Sequence, residues 1–103
     1  MTERRFQEAV VDLAHMLGWT VSHFRAARTS KGWRTPVAVD GAGWPDLLMV
    51  RRDRILAAEL KGEKGRVTPE QRDWLERLDE AGVETYLWRA GVDSFEAIAQ
   101  VLR

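Results

Sequence analysis

Residues 45–50 and 55–60 are short apolar runs separated by Arg51-Arg52-Asp53-Arg54, and this pattern constrains the fold more than any other. Runs of about six residues suit strands, and the charged quartet reads as a tight turn, so a β-hairpin is predicted. The apolar pattern is interrupted by Asp46 in the first run and Glu59 in the second, with Lys61 just beyond. Strand side chains alternate between faces, so Glu59 and Lys61 share one face while Leu60 points the other way, toward a core. Asp46 begins the partner strand and can approach Glu59. Polar groups in such an apolar setting must find partners or cost stability.

Elements on either side complete an α/β plan. Phe6, Val10, Leu13 and Leu17 recur at helical spacing over residues 3–17, and Gly18 is placed to end that helix. Residues 19–24 alternate and read as a strand. Residues 25–36 carry Arg25, Arg28, Lys31 and Arg34 without an acid and read as an exposed loop. Together with residues up to 44 they form a connection long enough to be functional or disordered. Residues 62–67 form a basic, glycine-containing loop. Thr68-Pro69-Glu70-Gln71 then opens a second helix, with threonine at the N-cap, proline in the first turn and glutamine at the third position of a capping box. Trp74, Leu75, Leu78 and Ala81 are its expected buried stripe, and Gly82 its end. Residues 84–89 read as a strand. Asp93 with Glu96 reads as a second capping box before a short helix that buries Phe95, Ile98, Ala99 and Leu102. The expected order is α-β-β-β-α-β-α in a single domain over residues 1–103, without repeats.

Composition narrows the chemistry. With 103 residues and 45% apolar content, one small core is expected rather than disorder. There is no cysteine, which excludes disulfides and thiolate-bound zinc. The two histidines, His15 and His23, have no zinc-ligand spacing, and His23 fits a strand position better than a general base. No apolar run is long enough to span a bilayer and no signal peptide is visible, so a soluble protein of the cytoplasm, bacterial or phage-infected, is expected, with no membrane partner. Net charge is zero but segregated. Residues 25–66 hold ten Lys/Arg and five Asp/Glu, and residues 67–103 hold four and eight. The basic stretch suits a phosphate backbone, although charge balance within one solvated surface explains the same numbers. Arg25, Arg28, Lys31, Arg34, Lys64 and Arg66 are the candidate phosphate contacts. Such contacts position nucleic acid without reading its sequence. Trp33 and Trp44 lie in or near this basic stretch, where base stacking or a subunit contact competes with core packing.

Asp46, Glu59 and Lys61 are the candidate reactive groups. Two adjacent carboxylates repel each other, and a divalent cation removes that cost. An all-oxygen set, with the Leu60 backbone carbonyl as a further ligand, selects Mg²⁺ or Mn²⁺ over zinc. A cation so held can activate water against a phosphodiester and neutralise the leaving oxygen. Lys61 would orient or help deprotonate the attacking water and offset phosphate charge. Taken singly, a Glu-x-Lys on a strand is a solvated pair and a Pro-Asp is a turn. Their combination on adjacent apolar strands, between two helices, is the specific signal.

Gly43-Trp44-Pro45-Asp46, Glu59-Leu60-Lys61, Glu3-Arg4-Arg5-Phe6-Gln7, Thr68-Pro69-Glu70-Gln71 with Trp74-Leu75, and Ala81-Gly82-Val83 before a strand together resemble the PD-(D/E)xK nuclease superfamily. Within it the chain resembles the virus-type replication-repair nuclease (VRR-NUC) domain, over nearly its whole length. The resemblance implies a restriction-endonuclease-like core with a central mixed sheet flanked by helices. It implies metal ligation by Asp46, Glu59 and the Leu60 carbonyl, catalysis assisted by Lys61, and approach of Gln71 to the site. It also implies that Glu3 contacts a metal directly or through water. Glu8 is a second acid in the first helix, but Glu3 with Gln7, Val10 and Ala14 continues one helical row, whereas Glu8 falls beside it. Glu3 also suits a helix N-terminus electrostatically, and Gln71 a pure capping role.

The expected activity is Mg²⁺-dependent hydrolysis of DNA, in structured or branched substrates such as four-way (Holliday) junctions. The family includes stand-alone phage-type proteins of about one domain, and a two-fold homodimer would match a junction's symmetry. Flap cleavage, duplex nicking and a non-catalytic DNA-binding or assembly module remain alternatives. A restriction-type enzyme with base readout ranks lower, because no element is available to enter a major groove.

Overall fold

The computed structural model describes residues 1–24, 27–29, 32–34 and 37–103, with 27–29 and 32–34 described by backbone alone. The elements run α1 (Glu3–Met16), β1 (Thr20–His23), β2 (Ala27–Thr29), β3 (Gly32–Arg34), β4 (Leu47–Arg51), β5 (Arg54–Lys61), α2 (Pro69–Glu80), β6 (Glu84–Arg89) and α3 (Phe95–Leu102). Four strands form one mixed sheet in the order β1-β4-β5-β6, and β2 pairs with β3 in a separate hairpin. The expected α/β core is therefore present. The added hairpin lies where a loop was expected, with Ala27 paired to Arg34 and Thr29 to Gly32. Its strands are three residues long and carry no alternating apolar pattern, so no local signal distinguishes them from loop.

The predicted β4–β5 hairpin forms with Leu47 opposite Ala58 and Arg51 opposite Arg54. β5 and β6 run parallel, with Leu60 beside Trp88 and Lys61 beside Arg89. Parallel neighbours need a crossover, and α2 supplies it. One sheet face contributes Leu47, Met49, Leu56, Ala58, Leu60 and Trp88 to the core, where they meet Phe6, Val10 and Ala14 of α1 and Ile98 and Leu102 of α3. Burying a side chain such as Phe6 or Leu56 contributes roughly 1.5–3 kcal/mol. By alternation, Ala57, Glu59 and Lys61 face the other side, with α2. Arg72, Leu75 and Asp79 of α2 there line a cleft with Thr85 and Leu87 of β6.

Local signals set the helix ends. Thr2 caps α1 by accepting from Arg5 N, and Gly18 follows the helix at φ 87°. Both halves of the Thr68/Gln71 capping box are present on α2. Three expectations are corrected. The stripe of α2 is only half-buried at Trp74, Leu75 and Leu78, and Ala81 is exposed, because the helix lies over the sheet margin. The cap of α3 is Ser94, whose hydroxyl accepts from Ala97 N, while the Asp93 carboxylate instead accepts from Arg89 N. Phe95 is likewise exposed rather than core, with its ring centroid 5.9 Å from that of Phe6.

At the β4–β5 turn, two cations of the basic stretch serve packing. Arg51 and Arg54 each place their guanidinium carbon 4.9 Å from the Trp19 ring centroid. Trp19 Nε1 and Arg51 Nη1 both donate to the Leu102 carbonyl, and Arg54 forms two hydrogen bonds with Glu84. These bonds tie the C-terminus of α3 to the sheet and leave the opposite end for the polar cluster. Among the described residues no helix is long and apolar enough to cross a membrane.

Candidate active site

Asp46, Glu59 and Lys61 converge where the β4–β5 ladder ends. Carrying the Leu47–Ala58 register one step further sets Asp46 opposite Glu59, and a second step sets Pro45 opposite Leu60. Proline has no N–H to give to the Leu60 carbonyl, so the ladder stops there. The Asp46 carboxylate takes over, its Oδ2 accepting from Leu60 N at 2.8 Å. The N–H and C=O of one strand residue point to the same side, so the Leu60 carbonyl also faces the Asp46 side. The next residue bonds the other way: the Lys61 carbonyl accepts from Ala90 N at 2.9 Å. Asp46 itself is held by its own carbonyl, which accepts from Phe24 N at 2.8 Å.

Glu59 is only 2% exposed, and its Oε2 has no hydrogen-bond partner. Its other oxygen lies 3.6 Å from Lys61 Nζ. Burial, then the neighbouring Asp46 carboxylate, push the Glu59 pKa up to about 8. Burial also raises the pKa of Asp46, opposed first by its bond from the Leu60 amide. The two carboxyls are close enough to share a proton. With both ionised, the pair is a buried negative site with one oxygen unpartnered, and a cation would satisfy it in place of the proton.

Among the described residues no three His, Cys, Asp or Glu side chains form a ready metal cage. The oxygens that could hold a metal are instead two carboxylates and a backbone carbonyl. That composition fits Mg²⁺, which binds through few protein oxygens and keeps several waters. The unpartnered Glu59 oxygen is the observation that favours the fit.

The remaining candidates fall at different distances from this centre. Glu3 Oε1 accepts from Gly62 N at 3.2 Å, which brings the α1 N-terminus to the end of β5. Glu8 pairs instead with Arg4 on the solvent side. Gln71 Oε1 accepts from Thr68 N, so its carbonyl oxygen is occupied by capping, and none of its described bonds reaches the acid pair. Gln71 nevertheless borders the Asp46 segment. A Cβ on Gly43 would lie 2.6 Å from Gln71 N and 2.4 Å from the Glu70 carbonyl carbon, so only glycine allows this backbone approach, and it does so at φ 85°. Trp44 packs between Phe24 and Trp74, with centroids 5.7 and 4.9 Å away, which favours packing for this tryptophan. Trp74 Nε1 donates to the Asp40 carbonyl, a second tie between α2 and the chain leading to Asp46.

Lys64 and Arg66 are exposed on the loop after Lys61. Arg25 and Lys31 lie outside the described residues, as do the side chains of Arg28, Trp33 and Arg34. Arg89 was not a sequence candidate. It is the register partner of Lys61, and its Nη1 donates to the carbonyls of Gly62 and Gly65. Only the parallel register reveals it.

A mixed sheet with helices on both faces and two acids at a broken hairpin end defines a restriction-endonuclease-like fold. Comparison with known proteins agrees. A family model described as the VRR-NUC domain matches residues 4–91, and the chain belongs to that family of nuclease-fold domains. A solved structure titled "VRR_NUC domain" superposes with TM-score 0.66 at 24% identity, covering 99% of this chain and 96% of that one. Another, titled "VRR_NUC domain protein", gives TM-score 0.65 at 20% identity, covering 99% and 85%. At these identities the two structures speak to the fold alone. No curated protein matches the chain significantly.

Proposed function

We propose that this chain is a Mg²⁺- or Mn²⁺-dependent DNA endonuclease. The observation that carries this function is the buried Asp46–Glu59 pair, with one carboxylate oxygen unpartnered and Lys61 beside it. Asp46, Glu59 and the Leu60 carbonyl would hold the cation. When bound, it would supply an activated water and neutralise charge on the phosphate. Asp46 is kept on target by the Leu60 amide. Glu59 holds the Lys61 ammonium at the edge of the acid pair, where it can orient water and offset negative charge on a phosphate oxygen. Burial of Lys61, at 9% exposure, keeps that charge poorly screened by solvent. Glu3, tied to Gly62 N, stands close enough to raise the Asp46 pKa through its charge and would act through a bridging water. Gln71 acts from the border of the site, where it caps α2 beside Gly43.

Lys64 and Arg66, together with the basic residues of the β2–β3 segment, are proposed to grip the phosphate backbone. Structured DNA such as a four-way junction is the proposed substrate, with a two-fold homodimer presenting one site to each symmetry-related strand. The testing experiment incubates wild type and Glu59→Ala with labelled junction, flap, nicked-duplex and single-stranded DNA in Mg²⁺, Mn²⁺ or chelator. Metal-dependent cutting of the junction by wild type alone is expected. Binding without cutting under every condition would instead identify a DNA-binding module.

A further inference from the structure

We propose that Arg89 is a positioning residue that holds Lys61 in place through the turn at residues 62–65. Its catalytic consequence rests on the nuclease function proposed above, whereas its structural consequence does not.

Lys61 and Arg89 are register partners on parallel strands, so their side chains leave the same sheet face. Rather than pairing with an acid, Arg89 bonds through Nη1 to the carbonyls of Gly62 and Gly65. Among the described residues no carboxylate forms an ion pair with it. Gly62 and Gly65 are the two ends of one turn, closed by Gly65 N donating to the Gly62 carbonyl at 3.2 Å. The same guanidinium nitrogen therefore fastens both ends.

That turn lies against the lysine. A Cβ built on Gly65 would sit 3.2 Å from Lys61 Cδ and 3.5 Å from Lys61 Cβ, so the Gly65 backbone packs on the aliphatic stem. A methyl at position 65 would require the stem to yield by a few tenths of an ångström. Two further ties hold the turn from other directions. Gly62 N donates to Glu3, and Glu63 packs over Gly91, where an added Cβ would be 2.9 Å from Glu63 Oε1. With the stem covered, the ammonium has one described partner, Glu59 at 3.6 Å. Freed from this cover, a lysine side chain would sample several rotamers, and few of them place Nζ beside the acid pair.

The test compares wild type with Arg89→Gln, Arg89→Lys and Gly65→Ala, without DNA or metal. Reductive methylation at one pH, read by peptide mass spectrometry, gives the labelling rate of Lys61 relative to exposed Lys64. Arg89→Gln is expected to raise the Lys61 rate about fivefold or more as the turn opens locally. Gly65→Ala, which asks the stem to yield by only a few tenths of an ångström, should give a smaller rise with Arg89 intact. Arg89→Lys retains charge but not the planar donor geometry, and should give an intermediate rise. Should Arg89→Gln fail to fold, Arg89→Lys carries the test. In cleavage assays Arg89→Gln should lower kcat about tenfold or more, as small misplacements of a reacting group do, with KM within about twofold of wild type. An unchanged Lys61 labelling rate in a folded Arg89 variant would overturn the proposal. So would a raised KM with retained kcat, which would make Arg89 a direct DNA contact. A wild-type protein that never cuts DNA would defeat the nuclease function but leave the labelling result standing.

Discussion

Asp46 closes the end of the β4–β5 ladder by accepting from Leu60 N at 2.8 Å, beside Pro45, which has no N–H to offer the Leu60 carbonyl. One residue thus ends the hairpin and supplies a carboxylate to the site. Asp46→Asn preserves an acceptor for Leu60 N but removes the charge. It should fold with little change in melting temperature and lose cleavage by on the order of 10²-fold or more, beyond what outer-sphere partners of a metal typically cost. Paired thermal denaturation and cleavage rates would check this. Normal turnover in Asp46→Asn would remove the residue from the chemistry.

Glu59 makes stability depend on pH in a direction opposite to a salt-bridged acid. Its pKa is about 8 when folded against an ordinary value of 4.5, so between these values the folded protein holds the extra proton. Metal-free stability is then greatest below about pH 4.5, as far as this group is concerned, and falls as pH rises toward 8, by on the order of a few kcal/mol. Glu59→Gln should flatten that slope. Added Mg²⁺ at pH 8 should restore stability to wild type but not to the variant, through mass action. Urea denaturation at several pH values reads all three effects.

Gly43 couples the segment leading to Asp46 to α2. Its φ of 85° and a Cβ path blocked at 2.4 Å by helix backbone leave no relaxed position for a side chain. Gly43→Ala should cost about 1–3 kcal/mol, and cleavage should fall with it because Asp46 moves. Equilibrium denaturation would give the cost. A neutral variant would show that the segment yields without consequence.

Much of this architecture was legible in the chain, for identifiable reasons. The β4–β5 hairpin showed because its apolar runs are interrupted at only a few positions, and α2 because Thr68-Pro69-Glu70-Gln71 encodes its own start. The convergence of Asp46 and Glu59 followed from the same hairpin. The β2–β3 hairpin was hidden because its short strands lack an alternating pattern. Asp93 and Ser94 both suit an N-cap, and only the fold shows that Asp93 is already engaged by Arg89 N. Arg89 itself depends on a parallel register set across a helical crossover, which no local pattern reports.

Lys64 and Arg66, both exposed, should act through phosphate contacts. The double variant Lys64→Ala/Arg66→Ala should weaken DNA binding similarly for all sequences and reduce the salt slope of log K by about 2. Binding titrations from low to moderate salt would measure it. An unchanged slope would assign these charges to solvent.

The most direct measurement is the anomalous difference map of a crystal soaked in Mn²⁺. A peak in contact with the carboxylates of Asp46 and Glu59 and the Leu60 carbonyl is predicted, and it should vanish in Glu59→Gln. An empty map between those three groups, in protein that still cuts DNA with Mn²⁺ in solution, would contradict the account.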